Sequence, residues 1–433
     1  MIYYSLNKLA PQVDFKEATI QGQAPDKGLY FPLSIPVISN KWLNEIDSFS
    51  KEEIAFELIK PYVGQSIPHR TLKRIVEETV FFDFPLVKLS NNIFSLELFH
   101  GPTLAFKDVG ARFMSRCLGY FMGQQSQKVT VLVATSGDTG GAVANGFYGV
   151  DGVDVVILYP SGKVSSVQEW QLTTLGKNVT ALEVKGSFDD CQDLVKQAFS
   201  DQDLKKKVLL TSANSINVAR WLPQQFYYAF AYQQWDDKSQ PPVFSVPSGN
   251  FGNICAGLLI HHSGLPVRHF IAACNANDIV PDFLRTRDYK PKKAVATLSN
   301  AMDVGNPSNF IRILELFSHR FTDLSHILSS YSISDAETIA AIAEIFQKNN
   351  YVADPHGAVG WLALKKWMEE NPGEKGIFLE TAHPVKFYDI VEPIIHQKIS
   401  IPAPVNELRN KKKLSIVLEP SYENLKEFLL TFT

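Results

Sequence analysis

Apolar and polar positions follow a regular rhythm over most of this chain. From about Val129 onward, short apolar runs alternate with longer segments in which apolar residues recur with helical period. This alternation is typical of an α/β protein with a mainly parallel sheet. The predicted strands are 129–134, 155–158, 179–184, 208–210, 243–246, 269–274 and 377–379. The predicted helices are 140–147, 189–199, 216–235, 253–262, 335–348, 356–368 and one that begins near Val385.

The first part of the chain lacks this rhythm. It is richer in proline and in helical pattern, so we interpret residues 1–90 as a separate N-terminal cap subdomain. A chain of 433 residues also exceeds the size at which one hydrophobic core stops growing. At least two packed units are therefore expected.

Composition and charge exclude several classes of protein. With 45% hydrophobic and 20% charged residues, the chain has enough apolar surface for large cores and is unlike a disordered protein. Its formal net charge of -3 gives no basic footprint for nucleic acid, and no cluster of Lys and Arg marks a membrane surface. No apolar run reaches about 18 residues. We expect no nucleic-acid partner and no membrane.

The cysteines bear on the cellular compartment. Cys117, Cys191, Cys255 and Cys274 are far apart, form no C-x-x-C pair and lie in apolar or helical contexts. We predict buried free thiols. The opening Met1-Ile-Tyr-Tyr leads into polar sequence without a signal peptide, and both features predict a cytoplasmic protein.

Lys107 is the first candidate for chemistry. It lies in the segment H-G-P-T-L-A-F-K-D, and the following apolar residues Val109, Phe113, Cys117 and Phe121 recur every four positions, so Lys107 is predicted to open a helix. The positive helix terminus and an apolar pocket both disfavour the ammonium form, as a Schiff-base lysine requires. An ordinary solvated lysine remains the alternative.

Two glycine-rich loops follow predicted strands. The loop A-T-S-G-D-T-G-G at 134–141 and the loop V-P-S-G-N-F-G-N at 246–253 each enter a helix, where backbone N–H groups favour an anion. The first lacks the lysine of a phosphate-binding P-loop and departs from the G-x-G-x-x-G dinucleotide pattern. Either loop alone could be a tight turn. On a parallel sheet both could face one crevice together with Lys107.

Further polar groups lie at element ends in E-T-A-H-P at 380–384 and D-P-H-G-A at 354–358. Each could equally be a turn or a helix cap. His356 and His383 show no metal spacing with another ligand, so no metal site is predicted.

Taken together and in order, these motifs resemble those of the threonine synthases, which are pyridoxal-phosphate (PLP) enzymes of fold type II, the tryptophan synthase β-like group. The likeness also includes G-L-Y-F-P at 28–32 and N-S-I-N-V-A-R at 214–220. The resemblance implies two parallel-sheet α/β units with flanking helices and an N-terminal cap. Residues 91–433 would then form a PLP-binding catalytic region of two interleaved α/β subdomains.

The resemblance also implies roles for single residues. Lys107 would be the catalytic residue and form the Schiff base with the cofactor, and Thr381 would bond the pyridine nitrogen. The cofactor phosphate would be held by Gly249, Asn250, Phe251, Gly252 and Asn253. The substrate carboxylate and its surroundings would be bound by Thr135, Ser136, Gly137, Asp138 and Thr139. The candidates for the substrate phosphate are Asn217, Arg220, Lys163 and Ser166.

The implied reaction is the conversion of O-phospho-L-homoserine and water to L-threonine and phosphate, catalysed by a carbon–oxygen lyase acting on phosphate. Three alternatives remain open at this stage. They are a related phospholyase that releases a keto acid, a hydroxyamino-acid dehydratase of the same fold, and a non-catalytic or dinucleotide-binding α/β protein. By the same resemblance we predict a monomer.

Overall fold

The computed structural model describes residues 1–123 and 127–432, and over these residues the chain forms fourteen strands and twenty α-helices. The strands are β1 (Ile2–Ser5), β2 (Val13–Asp14), β3 (Tyr30–Pro32), β4 (Leu86–Lys88), β5 (Ile93–Glu97), β6 (Val129–Ala134), β7 (Val153–Pro160), β8 (Val179–Val184), β9 (Leu209–Thr211), β10 (Val243–Pro247), β11 (His269–Cys274), β12 (Leu328–Ser332), β13 (Gly376–Glu380) and β14 (Ser415–Leu418).

Helices flank these strands along the whole chain. They are α1 (Phe15–Gln21), α2 (Asn40–Asn44), α3 (Lys51–Val63), α4 (His69–Thr79), α5 (Lys107–Met122), α6 (Asp138–Phe147), α7 (Ser166–Thr173), α8 (Phe188–Ser200), α9 (Gln202–Lys205), α10 (Val218–Trp221), α11 (Phe226–Gln233), α12 (Gly252–His262), α13 (Ile279–Thr286), α14 (Phe310–Leu316), α15 (Phe321–Ile327), α16 (Asp335–Asn349), α17 (Pro355–Glu370), α18 (Tyr388–Ile395), α19 (Ala403–Arg409) and α20 (Tyr422–Phe432). Short 3₁₀ helices lie at Ile46–Ser48, Leu222–Gln225, Asn300–Met302 and Pro384–Phe387.

The described strands form three sheets. The first is a small antiparallel sheet near the N-terminus with the order β2-β1-β3. The second has the order β12-β11-β10-β13-β5-β4 and is parallel except for its edge strand β4. The third is parallel throughout, with the order β14-β8-β7-β6-β9. This arrangement confirms the predicted α/β fold with two parallel-sheet units.

The central strands of the third sheet show why the sequence pattern predicted them. Every residue of β6 and β7 is buried, because helices cover both faces of a parallel sheet. Such strands appear in sequence as continuous apolar runs, and the predicted strand 129–134 coincides with β6. The predicted strand 269–274 coincides with β11 in the same way.

One predicted helix was wrong in its extent. The segment 216–235 was expected to be continuous, but it contains α10, a 3₁₀ turn and α11 in succession. Pro223 lies in the 3₁₀ turn. Proline lacks a backbone N–H and its ring clashes with the preceding helical turn, which accounts for the break.

The N-terminal residues share a core with the rest of the protein. The ring of Phe15 in α1 lies 6.4 Å from that of Phe113 and 6.3 Å from that of Phe121, both in α5. The division of the chain at residue 90 stays a prediction. Strand β4 lies before this boundary and pairs with β5, which lies after it.

All four cysteines are buried and free, as predicted. Among the described residues, no helix is both long and apolar enough to cross a membrane.

Candidate active site

The predicted motifs follow the carboxyl ends of parallel strands. The segment before α5 follows β5, and the loops 135–139, 248–253 and 380–384 follow β6, β10 and β13. Within the six-stranded sheet, β10, β13 and β5 are direct neighbours. Ligands of α/β sheets bind outside this edge. The topology therefore brings three of the four motif segments to one place, and side-chain contacts connect the fourth.

Main-chain pairing joins the segment before Lys107 to the segment after β13. Ala105 and Ala382 form an antiparallel bridge, and the backbone N–H of Phe106 donates to the carbonyl of Thr381 at 2.9 Å. Thr381 is thereby fixed next to the residue that precedes Lys107.

Lys107 is the first residue of α5 and is partly buried. Burial lowers the pKa of its ammonium group, Asp138 opposes this effect, and the charges of Lys386 and Arg220 reinforce it. The net direction is downward. The helix terminus acts in the same direction. The amine is thus shifted towards its neutral, nucleophilic form.

Asp138 forms a buried ion pair with Lys386. The distance from Asp138 Oδ1 to Lys386 Nζ is 2.7 Å, and the lysine side chain is fully buried. Gln168 Nε2 also donates to Asp138 Oδ1, at 3.0 Å. Burial alone would raise the pKa of Asp138, but Lys386 and Lys107 outweigh it and hold that pKa well below its usual range. Asp138 is therefore a carboxylate at neutral pH.

Thr103 connects this ion pair to the beginning of α5. Its carbonyl accepts from Lys386 Nζ at 2.9 Å. Its own N–H and hydroxyl donate to the two carboxylate oxygens of Asp108, at 2.9 and 2.5 Å. Asp108 follows Lys107 directly, so the ion pair and the reactive lysine are held in a fixed relation.

The loop 135–139 is ordered by its own threonine. Thr135 Oγ1 accepts from the N–H groups of Gly137 at 3.0 Å and of Gly140 at 2.9 Å. Gly137 has a φ of 145°, and a Cβ there would lie 2.4 Å from the side-chain amide of Gln168. Glycine is required at this position both by its backbone conformation and by the close packing. Ser136 and Thr139 are partly exposed beside it.

The loop 249–253 turns sharply into α12. Phe251 adopts the left-handed conformation with φ of 60°, directly before Gly252 begins the helix. The Asn250 carbonyl accepts from the backbone and side-chain nitrogens of Asn309, at 3.1 and 3.0 Å. Asn253 is almost fully buried, and its Nδ2 has no hydrogen-bond partner among the described residues. The loop thus presents helix N–H groups and one buried amide donor.

A chain of buried polar groups runs from the end of β13 to the segment behind Gly249. Glu380 Oε1 accepts from the backbone N–H of Asp354 at 2.6 Å, and Asp354 Oδ1 lies 3.1 Å from Nδ1 of His356. His356 Nε2 accepts from the N–H of Ala301 at 3.2 Å. A Cβ on Gly249 would lie 2.8 Å from the Ala301 carbonyl oxygen. Burial, reinforced by Asp354, raises the pKa of Glu380 well above its usual range.

Two of the residues predicted for the substrate phosphate are buried. Asn217 caps α10, its Oδ1 accepts from Ala219 N–H at 3.0 Å, and its Nδ2 donates to the Thr19 carbonyl at 2.9 Å. Arg220 Nη1 donates to the carbonyl of Lys107 at 3.1 Å, while its Nε has no partner among the described residues. Burial lowers the pKa of Arg220 to about 10. Arg220 therefore contacts the lysine segment, whereas the hydrogen-bonding atoms of Asn217 are engaged by the backbone.

The other two lie on the surface. Lys163 is an exposed residue in the turn after β7, and Ser166 is the exposed first residue of α7. The described hydrogen bonds and ion pairs that connect the motif segments do not involve them. Their assignment to the substrate phosphate stays a prediction.

Sequence reasoning missed Lys386 and undervalued two other residues, Asp354 and His356. Asp354 caps α17, as the cap alternative for D-P-H-G-A predicts, but the same carboxylate also contacts His356. Lys386 lies between the buried Val385 and Phe387, two residues beyond E-T-A-H-P. A lone lysine inside an apolar stretch was the available signal.

Comparison with known proteins places the chain in a family. The families described as "Threonine synthase N terminus", "Pyridoxal-phosphate dependent enzyme" and "Threonine synthase, C-terminal" match residues 2–80, 81–379 and 357–429. The threonine synthase of Serratia marcescens is 44% identical over 434 residues, 99% of this chain and 99% of that protein. The chain belongs to the threonine synthase family. This membership makes it a PLP-dependent enzyme, as the sequence predicted.

Other threonine synthases are similar over the same length. That of Escherichia coli strain K12 is 43% identical over 434 residues, again 99% of each chain. The crystal structure of the Escherichia coli enzyme superposes with a TM-score of 0.93 at 41% identity, covering 100% of both chains. The PLP-bound threonine synthase of Brucella melitensis gives a TM-score of 0.93 at 34% identity, covering 100% of this chain and 99% of that one. These likenesses confirm fold type II.

Proposed function

We propose that this protein converts O-phospho-L-homoserine and water to L-threonine and phosphate, the last step of threonine biosynthesis. The observation that carries the proposal is the match to threonine synthases along the whole chain, at 44% identity over 99% of both this chain and the Serratia marcescens enzyme. The site supports it, because a lysine with a lowered pKa lies among loops that suit anionic ligands.

The residues around Lys107 fit PLP. The N–H groups at the start of α12, with the buried and unpartnered Nδ2 of Asn253, are suited to hold the phosphate in the loop 249–253. Thr381 would offer a neutral hydroxyl to the pyridine nitrogen, which leaves that nitrogen less protonated than a carboxylate would. When bound, PLP withdraws electrons from the substrate α-carbon and so acidifies the neighbouring C–H groups.

Lys107 is assigned the proton transfers. Lys107 would hold the cofactor, and its free Nζ would accept the proton from Cα and then move protons at Cβ and Cγ. Phosphate leaves from Cγ, a proton is added at Cγ to complete the methyl group, water adds its hydroxyl at Cβ, and a proton returns to Cα. The lowered pKa of Lys107 favours this role because a base must be neutral before it accepts a proton.

The substrate carboxylate is assigned to the loop 135–139, whose backbone N–H groups open α6. Arg220 is the best placed of the phosphate candidates, since its Nη1 already contacts the Lys107 carbonyl and its Nε is buried without a partner among the described residues. A guanidinium there would stabilise the charge that grows as phosphate departs. Asn217, Lys163 and Ser166 stay in the proposal as weaker candidates.

The test is to incubate the purified protein with O-phospho-L-homoserine and measure threonine and phosphate, with Lys107→Ala as the control. Equal amounts of both products, absent in the variant, support the proposal. Phosphate with a keto acid and no threonine would make the protein a phospholyase. Ammonia released from serine or threonine, with no reaction of the phosphorylated substrate, would make it a dehydratase.

We further propose that the enzyme is a cytoplasmic monomer. The four buried free thiols suit a reducing compartment. Sedimentation equilibrium of the purified protein measures the assembly state, and a mass of twice 48.5 kDa would contradict the monomer. Fractionation of the source cells tests the compartment.

A further inference from the structure

The ion pair between Lys386 and Asp138 lies beside Lys107 and involves a residue outside the predicted motifs. Its Nζ–Oδ1 distance is 2.7 Å, and the two side chains are 0% and 5% exposed. We propose that Lys386 is a positioning residue of this active site: it holds the Asp138 carboxylate in the substrate loop and prevents it from pairing with Lys107. The proposal rests on the proposed function in taking Lys107 as the cofactor lysine.

The geometry fixes Lys386 independently of Asp138. Its Nζ donates to the Thr103 carbonyl at 2.9 Å, and Gln171 Nε2 donates to the same carbonyl at 3.0 Å. Thr103 is in turn bonded twice to Asp108. A flexible lysine is thus anchored to the segment that leads into α5, and it can act as a fixed cation.

Asp138 needs such a cation because it is buried. A buried carboxylate that loses its partner must either take up a proton or pair with another charge. Lys107 is the other cation whose charge lowers the pKa of Asp138. Without Lys386, the carboxylate would therefore interact with Lys107 and stabilise its ammonium form.

The pair also affects anion binding in the loop 135–139. The N–H groups at the start of α6 attract an anion, whereas a free carboxylate at Asp138 would repel the substrate carboxylate. Lys386 neutralises that repulsion from the protein side. Gln168, which donates to the same Asp138 oxygen at 3.0 Å, adds a neutral contact that fixes the orientation of the carboxylate.

Four charged groups from four different elements act on Lys107. They are Asp138 at the start of α6, Lys386 in the 3₁₀ helix Pro384–Phe387, Arg220 in α10 and Asp354 at the cap of α17. Removing Lys386 deletes a repelling cation and releases an attracting carboxylate, and both changes raise the pKa of Lys107. Removing the charge of Asp138 does the reverse.

The experiment measures Schiff-base formation against pH. The full-length protein is stripped of cofactor, and the rate at which the visible band returns with PLP is followed from pH 6 to 10, roughly the range over which a shifted lysine titrates. Lys386→Met should raise the midpoint by about one pH unit, which means about tenfold slower reaction at neutral pH. Asp138→Asn should lower the midpoint, and the double variant should lie near wild type.

Two further variants keep the test decisive. Lys366→Met is the control: it removes a partly exposed lysine that pairs with Glu337 at 2.7 Å. Its midpoint should match that of wild type. Lys386→Arg keeps the charge, so its midpoint should also stay near that of wild type. If Lys386→Met does not fold, Lys386→Arg and Asp138→Asn test the proposal in its place.

The outcomes separate the two proposals. A wild-type protein that forms no visible band refutes the proposed function. A wild-type band with midpoints that do not move, or that move in the same direction for Lys386→Met and Asp138→Asn, overturns the role of Lys386 alone. If Lys386→Met does not fold, an Asp138→Asn midpoint at or above the wild-type value has the same meaning.

Discussion

His356 connects to Ala301 through a single hydrogen bond, in which Nε2 accepts from the backbone N–H at 3.2 Å. Because Nε2 accepts, the proton of a neutral His356 lies on Nδ1, 3.1 Å from Asp354 Oδ1. Ala301 lies against Gly249 of the proposed phosphate loop. The histidine therefore supports that loop from behind, although it is outside the set of residues assigned to the cofactor.

Replacing His356 with Phe should weaken cofactor binding without abolishing it. The ring volume is kept next to Phe387, but the Ala301 N–H loses its acceptor. One lost hydrogen bond of about 1 kcal/mol corresponds to a roughly fivefold higher dissociation constant for PLP. Fluorescence titration of the cofactor-free protein with PLP measures this dissociation constant. His326→Phe, at an exposed position, is the control, and equal affinity in both variants would contradict this account.

Gly249→Ala should have a larger effect on the same loop. Its Cβ would lie 2.8 Å from the Ala301 carbonyl oxygen and 2.8 Å from the Met302 Cα. Both are main-chain atoms, so relief requires the loop to move. We expect PLP affinity to fall by between about fivefold and about a hundredfold, in line with the roughly 1–3 kcal/mol cost of overpacking. A variant that binds PLP normally in the same titration would show that the loop adapts freely.

Arg312→Met should strongly destabilise the protein. The guanidinium of Arg312 is fully buried, stacks 4.4 Å from the Trp221 ring centroid and donates to the carbonyls of Tyr30, Ser215 and Ile216. Its removal leaves buried carbonyls without donors, at a cost of about 3 kcal/mol or more.

Urea unfolding measures that cost. Arg285→Met is the matched control, because Arg285 is exposed and its ion pair with Asp282 lies on the surface. We expect its unfolding midpoint to stay close to wild type. Equal midpoints for Arg285→Met and Arg312→Met would mean that the buried guanidinium adds little to stability.

His269 should contribute to acid unfolding. Burial, with help from Arg268, lowers the pKa of His269 from its ordinary value of about 6.5 to about 4. As the pH falls below about 6.5, the unfolded chain takes up this proton before the folded protein does, so folding stability decreases until about pH 4. At about 1.4 kcal/mol per pH unit, the loss of folding free energy from this group is at most about 3.5 kcal/mol.

His269→Gln removes that contribution and can keep a hydrogen bond to Ser329. It also loses the stacking on Trp367, so the variant should be less stable at pH 7. Between pH 7 and about pH 4.5, however, its urea midpoint should fall less than that of wild type. If the urea midpoint of the variant fell as steeply as that of wild type, or more steeply, His269 would not contribute to acid unfolding. His326→Gln, at an exposed position, should follow wild type.

Sequence alone predicted the features that depend on local pattern. The strand β6 is a continuous apolar run, and the glycine-rich loop 246–253 leads into the helix α12, which begins at Gly252. Both are visible within a few neighbouring residues. The position of Lys107 at the first turn of α5 followed in the same way from the apolar spacing beyond it.

Features that depend on distant partners could not be predicted. Lys386 has its partners Asp138 and Thr103 far away in sequence, so the apolar residues beside it indicate a buried lysine but not the residues with which it pairs. Asn217 was assigned to substrate from its motif, yet its side chain bonds the backbone of Thr19. The strand β12 was missed because its sequence L-S-S-Y-S is short and polar, and its pairing with β11 decides its conformation.

The most direct test of the account is whether Lys107 carries the cofactor. The protein purified with PLP is reduced with borohydride and digested, and the peptide that retains the pyridoxyl group is sequenced by mass spectrometry. We predict a visible absorption band before reduction and the label on Lys107, with both lost in Lys107→Ala. A label on another lysine, or a band that persists in the variant, would contradict the assignment on which the site rests.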